Sequence, residues 1–332
     1  MAIRLAINGF GRIGRSSFRV AFEKEDIEIV AINDLTENNM LAHLLKYDTA
    51  FGKFDHEVNA DSENLYIDGK AIPSMSIKDP RTLPWKDLNV DVVLECTGIF
   101  TKEEDAKMHL EAGAKKVLIS APAKGNVDLI VLGTNDDKIA DQQILSNASC
   151  TTNCITPVVS VIDEAIGIEK AMMTTIHSYT ADQNLQDGPH EDDLRRARAA
   201  AQNIVPTTTG AAKATTKIMP NLAGKFDGLA IRVPAIDVSL SDITMLVKKD
   251  TTIEEVNKIL QDAAKSDRYK GILDFTEEEL VSSDFIKNTY SSIVDGKLTQ
   301  VVDGNLVKII AWYDNEWGYS NRLVELAERV GS

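Results

Sequence analysis

Cysteine is scarce in this chain of 332 residues: there are three. So few leave no basis for a disulfide framework and point to a reducing compartment. Long apolar runs are also missing, and none approaches the roughly 18 residues that a membrane-spanning helix requires. The opening Met1-Ala2-Ile3-Arg4-Leu5 passes directly into a strand-like pattern, without the apolar stretch and cleavage site of a signal peptide. The expectation is a cytoplasmic protein. Positive charge is in deficit, with 36 Lys and Arg against 51 Asp and Glu, a net charge of −15. Such a field repels polyanions, so neither nucleic acid nor an anionic membrane is expected as main partner. It also makes clustered arginines conspicuous, because an anionic substrate needs local cations to overcome it. Internal repeats and low-complexity tracts are absent. What remains is ordinary globular composition, 43% hydrophobic and 26% charged, in a length that allows two domains with substantial cores.

The N-terminal third has a readable order. Residues 3–8 predict a strand. Gly9-Phe10-Gly11-Arg12-Ile13-Gly14 follows and opens a helical pattern to about residue 24. A second strand is predicted over 27–32 and ends in Asn33-Asp34. In this context the glycines allow a tight turn and close approach of a pyrophosphate to the helix N-terminus. Asp34 is placed to accept hydrogen bonds from a ribose and to repel a 2′-phosphate, which favours NAD over NADP. Further strands are predicted over 90–96, 116–120 and 129–132. A helix between the first two has Thr101 and Glu104 at capping-box spacing and Gly113 as its stop.

The centre of the chain carries Ser149-Cys150-Thr151-Thr152-Asn153-Cys154. Ile155, Val158, Val159, Ile162 and Ile166 then recur at helical spacing, and Gly167 reads as the stop. With Ser149 or Thr151 as cap, Cys150 sits at a helix N-terminus, where amides and the dipole favour a negative sulfur. Cys150 is the expected nucleophile, and Cys154, beside Ile155, reads as a buried small residue. Pro157 predicts a kink or a tight first turn. Beyond this helix, His177 ends a strand-like run over 171–179, as a base for the thiol. Arg195, Arg196 and Arg198 close a long irregular loop over 180–199. Thr207-Thr208-Thr209-Gly210 is read as capping a helix to about residue 219, and Thr209-Gly210 as a phosphate cradle. Arg232 interrupts an apolar strand over 229–233, and Arg196 and Arg232 are the best candidate anion ligands. Strands over 238–248 and 309–313, a helix from residue 252 and a terminal helix over 320–330 complete a mixed or antiparallel sheet domain. No metal is expected, because the cysteines and histidines lack paired ligand spacing.

These segments resemble one family from end to end. The matching pieces are 7–15, 148–154, His177-Ser178-Tyr179-Thr180, 193–198, 206–213 and Trp312-Tyr313-Asp314-Asn315-Glu316-Trp317-Gly318-Tyr319-Ser320. The chain resembles phosphorylating glyceraldehyde-3-phosphate dehydrogenases. The resemblance implies an α/β fold: a Rossmann dinucleotide-binding domain over 1–149, joined by the C-terminal helix 316–332, with a second α+β catalytic domain over 150–315. It implies that Cys150 attacks the aldehyde and His177 activates the thiol. It assigns NAD to Arg12, Ile13, Asp34, Lys78, Ser120 and Asn315. It assigns substrate and inorganic phosphate to Ser149, Thr151, Thr180, Arg196, Thr209, Gly210 and Arg232. A homotetramer is implied, with loop 180–199 at a subunit interface. Two positions depart from the family: Gly188 stands where strictly NAD-dependent relatives carry leucine, and Pro234-Ala235-Ile236-Asp237 replaces Pro-Thr-Pro-Asn. Oxidation of erythrose 4-phosphate and reduction of an acyl phosphate such as aspartyl phosphate are alternative chemistries of the same architecture.

Overall fold

A computed structural model describes residues 2–139 and 142–331. The chain divides into two compact units, one of Met1–Ile130, Asp136–Ala148 and Ser320–Ser332, the other of Val131–Asn135 and Ser149–Tyr319.

The first unit contains β1 (Ile3–Asn8), α1 (Arg12–Phe22), β2 (Ile27–Asn33), α2 (Asn38–Lys46), β3 (Val58–Ala60), β4 (Asn64–Ile67), β5 (Lys70–Met75), β6 (Val92–Glu95), α3 (Glu103–Glu111), β7 (Lys116–Ile119), β8 (Asp128–Leu129) and β9 (Ile144–Ser146). They form one sheet in the order β3-β4-β5-β2-β1-β6-β7-β9-β8. The strands from β5 onward pair in parallel, and β3–β5 make an antiparallel meander at one edge. Leu5, Ala6, Ile7, Val92, Val93, Leu94, Val117, Leu118 and Ile119 are fully buried, the continuous apolar run of strands covered on both faces. The connections leave β1 toward β2 on one side and β6 on the other, a switch point at the carboxyl ends where a dinucleotide binds.

The second unit contains α4 (Cys150–Ile166), β10 (Ile168–Ser178), β11 (Val205–Thr208), α5 (Ala211–Ile218), β12 (Phe226–Val233), β13 (Ser239–Val247), α6 (Ile253–Ala264), β14 (Leu273–Thr276), β15 (Ser292–Asp295), β16 (Gln300–Val302) and β17 (Leu306–Tyr313). The sheet order is β11-β12-β10-β13-β17-β15-β14, with β16 on β17. β10 pairs in parallel with β12 and antiparallel with β13, so the sheet is mixed. α4 lies against β13, β15 and β17 and between α5 and α6. It runs through Pro157 without a break. The last helix, α7 (Trp317–Gly331), brings Gly331 beside Ile3 of β1 and ties Glu328 to Lys24 at 2.9 Å.

Several boundaries differ from the sequence expectation. The strand expected over 129–132 is only Asp128–Leu129. The Thr101–Glu104 capping box does not form: Lys102 is the N-cap of α3 and makes no side-chain cap bond. Glu103, Glu104 and Asp105 in the first turn oppose the positive end of the dipole instead. Thr207 and Thr208 belong to β11, and Gly210 alone caps α5.

Candidate active site

The candidate nucleophile, Cys150, follows a sharp turn. Ala148, fully buried, takes a left-handed φ of +51°, unusual for a residue with a side chain, and turns the chain into α4. Ser149 is the N-cap, its Oγ accepting the Thr152 N–H at 3.1 Å. Cys150 is therefore the first helical residue, and its surface stays half-buried. Cys154, one turn on, is wholly buried among Ser292 and Ala311.

β10 brings His177 to the sulfur, with Cys150 Sγ and His177 Nε2 3.6 Å apart. The parallel register of β10 and β12 sets His177 directly beside Arg232. The Ser178 carbonyl, an acceptor only, lies 2.7 Å from His177 Nδ1. Nδ1 therefore carries the proton, and the Nε2 lone pair faces the thiol. Arg232 Nη1, 3.1 Å from Nδ1, donates to the Ser178 carbonyl at 3.2 Å and to Thr180 Oγ1 at 3.3 Å.

Burial pulls the His177 imidazolium down to about 3, reinforced by the charge of Arg232. Burial also pushes the Cys150 thiol above its ordinary value, against the pull of Arg232 and of the Thr151 and Cys150 amides. The resting pair is a thiol and a neutral imidazole. The thiolate suggested by the helix N-terminus is outweighed by desolvation, and the Nε2 lone pair is placed to accept the thiol proton.

Two cationic sites lie in this unit. Arg232 is partly buried, and its Nε–H is fully enclosed with no hydrogen-bond partner. An orphaned guanidinium donor is unfavourable, and an arriving anion would satisfy it. Arg196 is already engaged: it bonds Asp182 at 2.7 Å, Thr207 Oγ1 at 3.0 Å and the Thr208 carbonyl at 3.2 Å. Any anion it takes competes with Asp182. Thr209 Oγ1 accepts the Ala211 N–H at 3.2 Å, and open space surrounds Gly210 at the amide end of α5. The hydroxyls of Ser149 and Thr151 are partly spoken for. Ser149 caps α4, and Thr151 Oγ1 lies 2.9 Å from Tyr313 Oη, which also meets Thr175 at 2.8 Å.

The first unit offers a cradle for a dinucleotide. Gly9 has φ +90°, and a Cβ there would stand 2.6 Å from the Thr97 nitrogen; one at Gly14 would stand 2.1 Å from the Gly9 carbonyl. Open space surrounds Gly11, so a pyrophosphate can approach the amide end of α1, which begins at Arg12 and Ile13. The Arg12 side chain turns away, ion-paired with Asp48 and over the Phe51 ring. Asp34 accepts the Phe10 N–H at 2.7 Å and the Thr36 N–H at 2.9 Å, so it braces the loop as well as facing outward. Lys78 is exposed, and Ser120 is half-buried at the carboxyl end of β7. In the catalytic unit Asn315 Oδ1 accepts the Ser178 hydroxyl at 3.0 Å and the Ser239 hydroxyl at 2.7 Å. Ser239 Oγ takes the Ser178 N–H, so its own proton goes to Asn315. That fixes the amide and turns Nδ2 to the other side, a donor suited to a carboxamide oxygen.

Sequence reasoning missed Tyr313, Ser178 and Ser239, which fix the orientations of Thr151 and Asn315. Their signal is the two-residue alternation of β10, β13 and β17, legible once the register is known.

Comparison with known proteins agrees. Residues 149–315 match the family described as glyceraldehyde 3-phosphate dehydrogenase, C-terminal domain, and residues 3–103 match its NAD binding domain. A glyceraldehyde-3-phosphate dehydrogenase of Priestia megaterium is 53% identical across 100% of this chain and 99% of its own length. The Geobacillus stearothermophilus protein of that name shows the same identity and coverage. Glyceraldehyde-3-phosphate dehydrogenase 1 of Bacillus subtilis is 53% identical over 99% of this chain and 98% of its own. The chain belongs to the glyceraldehyde-3-phosphate dehydrogenase family.

Proposed function

We infer that the protein is a glycolytic, NAD-dependent oxidoreductase that converts glyceraldehyde 3-phosphate and inorganic phosphate into 1,3-bisphosphoglycerate. The observation that carries this reading is the 3.6 Å approach of Cys150 Sγ to His177 Nε2 beside the enclosed Arg232.

Cys150 Sγ adds to the aldehyde carbon while Nε2 takes the thiol proton and passes it to the former carbonyl oxygen. The product is a thiohemiacetal. NAD, when bound, supplies the hydride acceptor that converts it into a thioester. His177 helps remove the hydroxyl proton in that conversion, then returns a proton to the sulfur after phosphate oxygen attacks the acyl carbon and the C–S bond breaks. Arg232 with Thr180, and Arg196 with Thr209 and Gly210, hold the two phosphates. Ser149 holds Cys150 at the helix start, and Thr151 adds a hydroxyl beside the sulfur. Arg12 and Ile13 contribute the amide end of α1 to the pyrophosphate, Asp34 meets the adenosine ribose, and Lys78 and Ser120 flank the remaining length. Asn315 receives the carboxamide.

The assembly we propose is a homotetramer in the cytoplasm. Leu185 and Leu194 in loop 180–199 are 87% and 89% exposed, apolar surface that a neighbouring subunit would cover. Light scattering after size exclusion tests this, and a stable monomer refutes it. The activity is tested by initial rates with glyceraldehyde 3-phosphate and NAD, with phosphate omitted in one arm and acyl phosphate trapped as the hydroxamate. Cofactor reduction that needs no phosphate, or no hydroxamate, overturns the reading.

A further inference from the structure

The turn carrying Asn315 rests on a pair of buried carboxyl groups that the chemistry above does not use. Asp237 is 3% exposed and Asp314 is 1% exposed. They meet because β13 and β17 are antiparallel with Ser239 opposite Tyr313. Just beyond that pair the Asp237 and Asp314 carboxyl groups interact. Asp314 is built as a carboxylate. Its Oδ2 accepts the Lys287 N–H at 2.8 Å, and its Oδ1 accepts the Glu316 N–H at 3.0 Å and the Trp317 N–H at 2.6 Å. Asp237 is built differently: both of its oxygens are enclosed without a close hydrogen-bond partner, and the Val238 N–H is the one donor that favours its charged form. A buried carboxylate so poorly supplied with donors is costly, whereas a neutral carboxyl is itself a donor. The backbone holds it in place, since Val238 takes a left-handed φ of +65° and is buried among Phe285, Ile293 and Trp312.

We propose that Asp237 is a positioning residue that retains its proton, donates it to the Asp314 carboxylate, and so holds the 314–317 turn and the amide of Asn315 in place. The groups facing it are Asp314 and Glu316, both acidic. Burial pushes Asp237 up to about 9, and those two charges push the same way. Burial also raises Asp314, to about 6. Loss of the Asp237 proton sets like charges against one another in a space whose close N–H donors already serve Asp314. The turn must then shift, and Asn315 with it. The functional consequence rests on the reading of Asn315 as a cofactor ligand, whereas the proton itself does not.

Trp312 and Trp317 flank Asp314 in sequence and report on the pair. The test is a titration of intrinsic tryptophan fluorescence from pH 6 to 10, with NAD affinity measured by calorimetry at the same points, on the full chain and on Asp237→Asn. Asparagine keeps the shape and a donor but cannot ionise. The expected result is an alkaline fluorescence transition in the parent chain. NAD affinity falls roughly tenfold through the same midpoint, about the worth of one hydrogen bond. In Asp237→Asn both curves are flat. Asp237→Leu, which removes the donor, weakens NAD at every pH while a fold check by far-UV circular dichroism is unchanged. A transition that persists in Asp237→Asn, or its absence from the parent chain, overturns the proposal. A fluorescence transition with NAD affinity unchanged overturns the link to Asn315. A chain that binds no NAD at any pH refutes the cofactor reading instead, and the fluorescence arm still decides whether Asp237 holds the proton.

Discussion

Replacing Arg232 with methionine removes a charge whose role is written in its geometry. Nη1 is occupied by the Ser178 carbonyl and Thr180, but Nε–H is enclosed and unmatched. An unmatched buried donor is unfavourable by about 1–3 kcal/mol, and a charge-assisted bond contributes about 1.5–3 kcal/mol when made. Binding of a phosphate oxygen therefore recovers about 3–5 kcal/mol that the thioether side chain of Arg232→Met cannot offer. At 1.4 kcal/mol per decade, kcat/KM for glyceraldehyde 3-phosphate should fall roughly 10²- to 10⁴-fold. The arginine also lowers the His177 and Cys150 proton affinities, so a second route to the loss runs through the acid–base pair. Unphosphorylated glyceraldehyde separates the two effects, since it shares the aldehyde chemistry and lacks the anion. Both substrates are measured with saturating NAD and phosphate, and the KM for phosphate is taken in parallel. An equal loss for the two aldehydes, with the phosphate KM unmoved, refutes the anion site.

The remaining outcomes concern the thiol, its base and the cofactor. Cys150→Ser abolishes aldehyde oxidation while calorimetry still detects NAD, and Cys154→Ser, at a site buried against Ser292, keeps most activity; the reverse pattern overturns the choice of nucleophile. His177→Asn lowers kcat roughly 10²- to 10⁴-fold, the range of a positioned acid–base group, and a loss under about threefold removes His177 from the mechanism. Because burial pulls His177 down to about 3, it is already deprotonated at pH 5, so its acid limb in kcat/KM lies below pH 5; a limb near pH 6.5 that His177→Asn removes contradicts this. Asp34→Ala raises kcat/KM with NADP by removing like charge, and lowers it with NAD because Phe10 N–H loses its acceptor; a parent chain that already uses both equally assigns the choice to Gly188.

The first unit was legible where each segment is locally self-consistent. The strand over 3–8 is β1 to the residue, because an apolar run bounded by a glycine turn leaves no competing period. The β3–β5 meander and α2 went unread. Asn64–Ile67 and Lys70–Met75 are short and half exposed, and only pairing with one another and with β2 makes them strands. Lys102 in place of Thr101 as the cap of α3 is a one-residue shift that local spacing cannot resolve.

In the site, candidates could be picked from the sequence, but their protonation and bonding could not. Cys150 is singled out by its place among polar residues at a helix start, His177 by its place at a strand end, and Arg232 by interrupting an apolar strand. What each does depends on partners from other strands. The sulfur reads as a thiolate when only its helix is considered. It reads as a thiol once β10 brings a neutral imidazole and the surrounding sheet removes water. Arg196 reads as an open anion ligand in its loop, yet it is held by Asp182, fourteen residues earlier, and by Thr207 of β11. Asp34 reads as a ribose acceptor, yet it also fixes the loop that approaches the pyrophosphate. Register is the common cause. One residue of slip between β10 and β12 would send Arg232 to the opposite face from His177 and leave the thiol without its neighbouring charge.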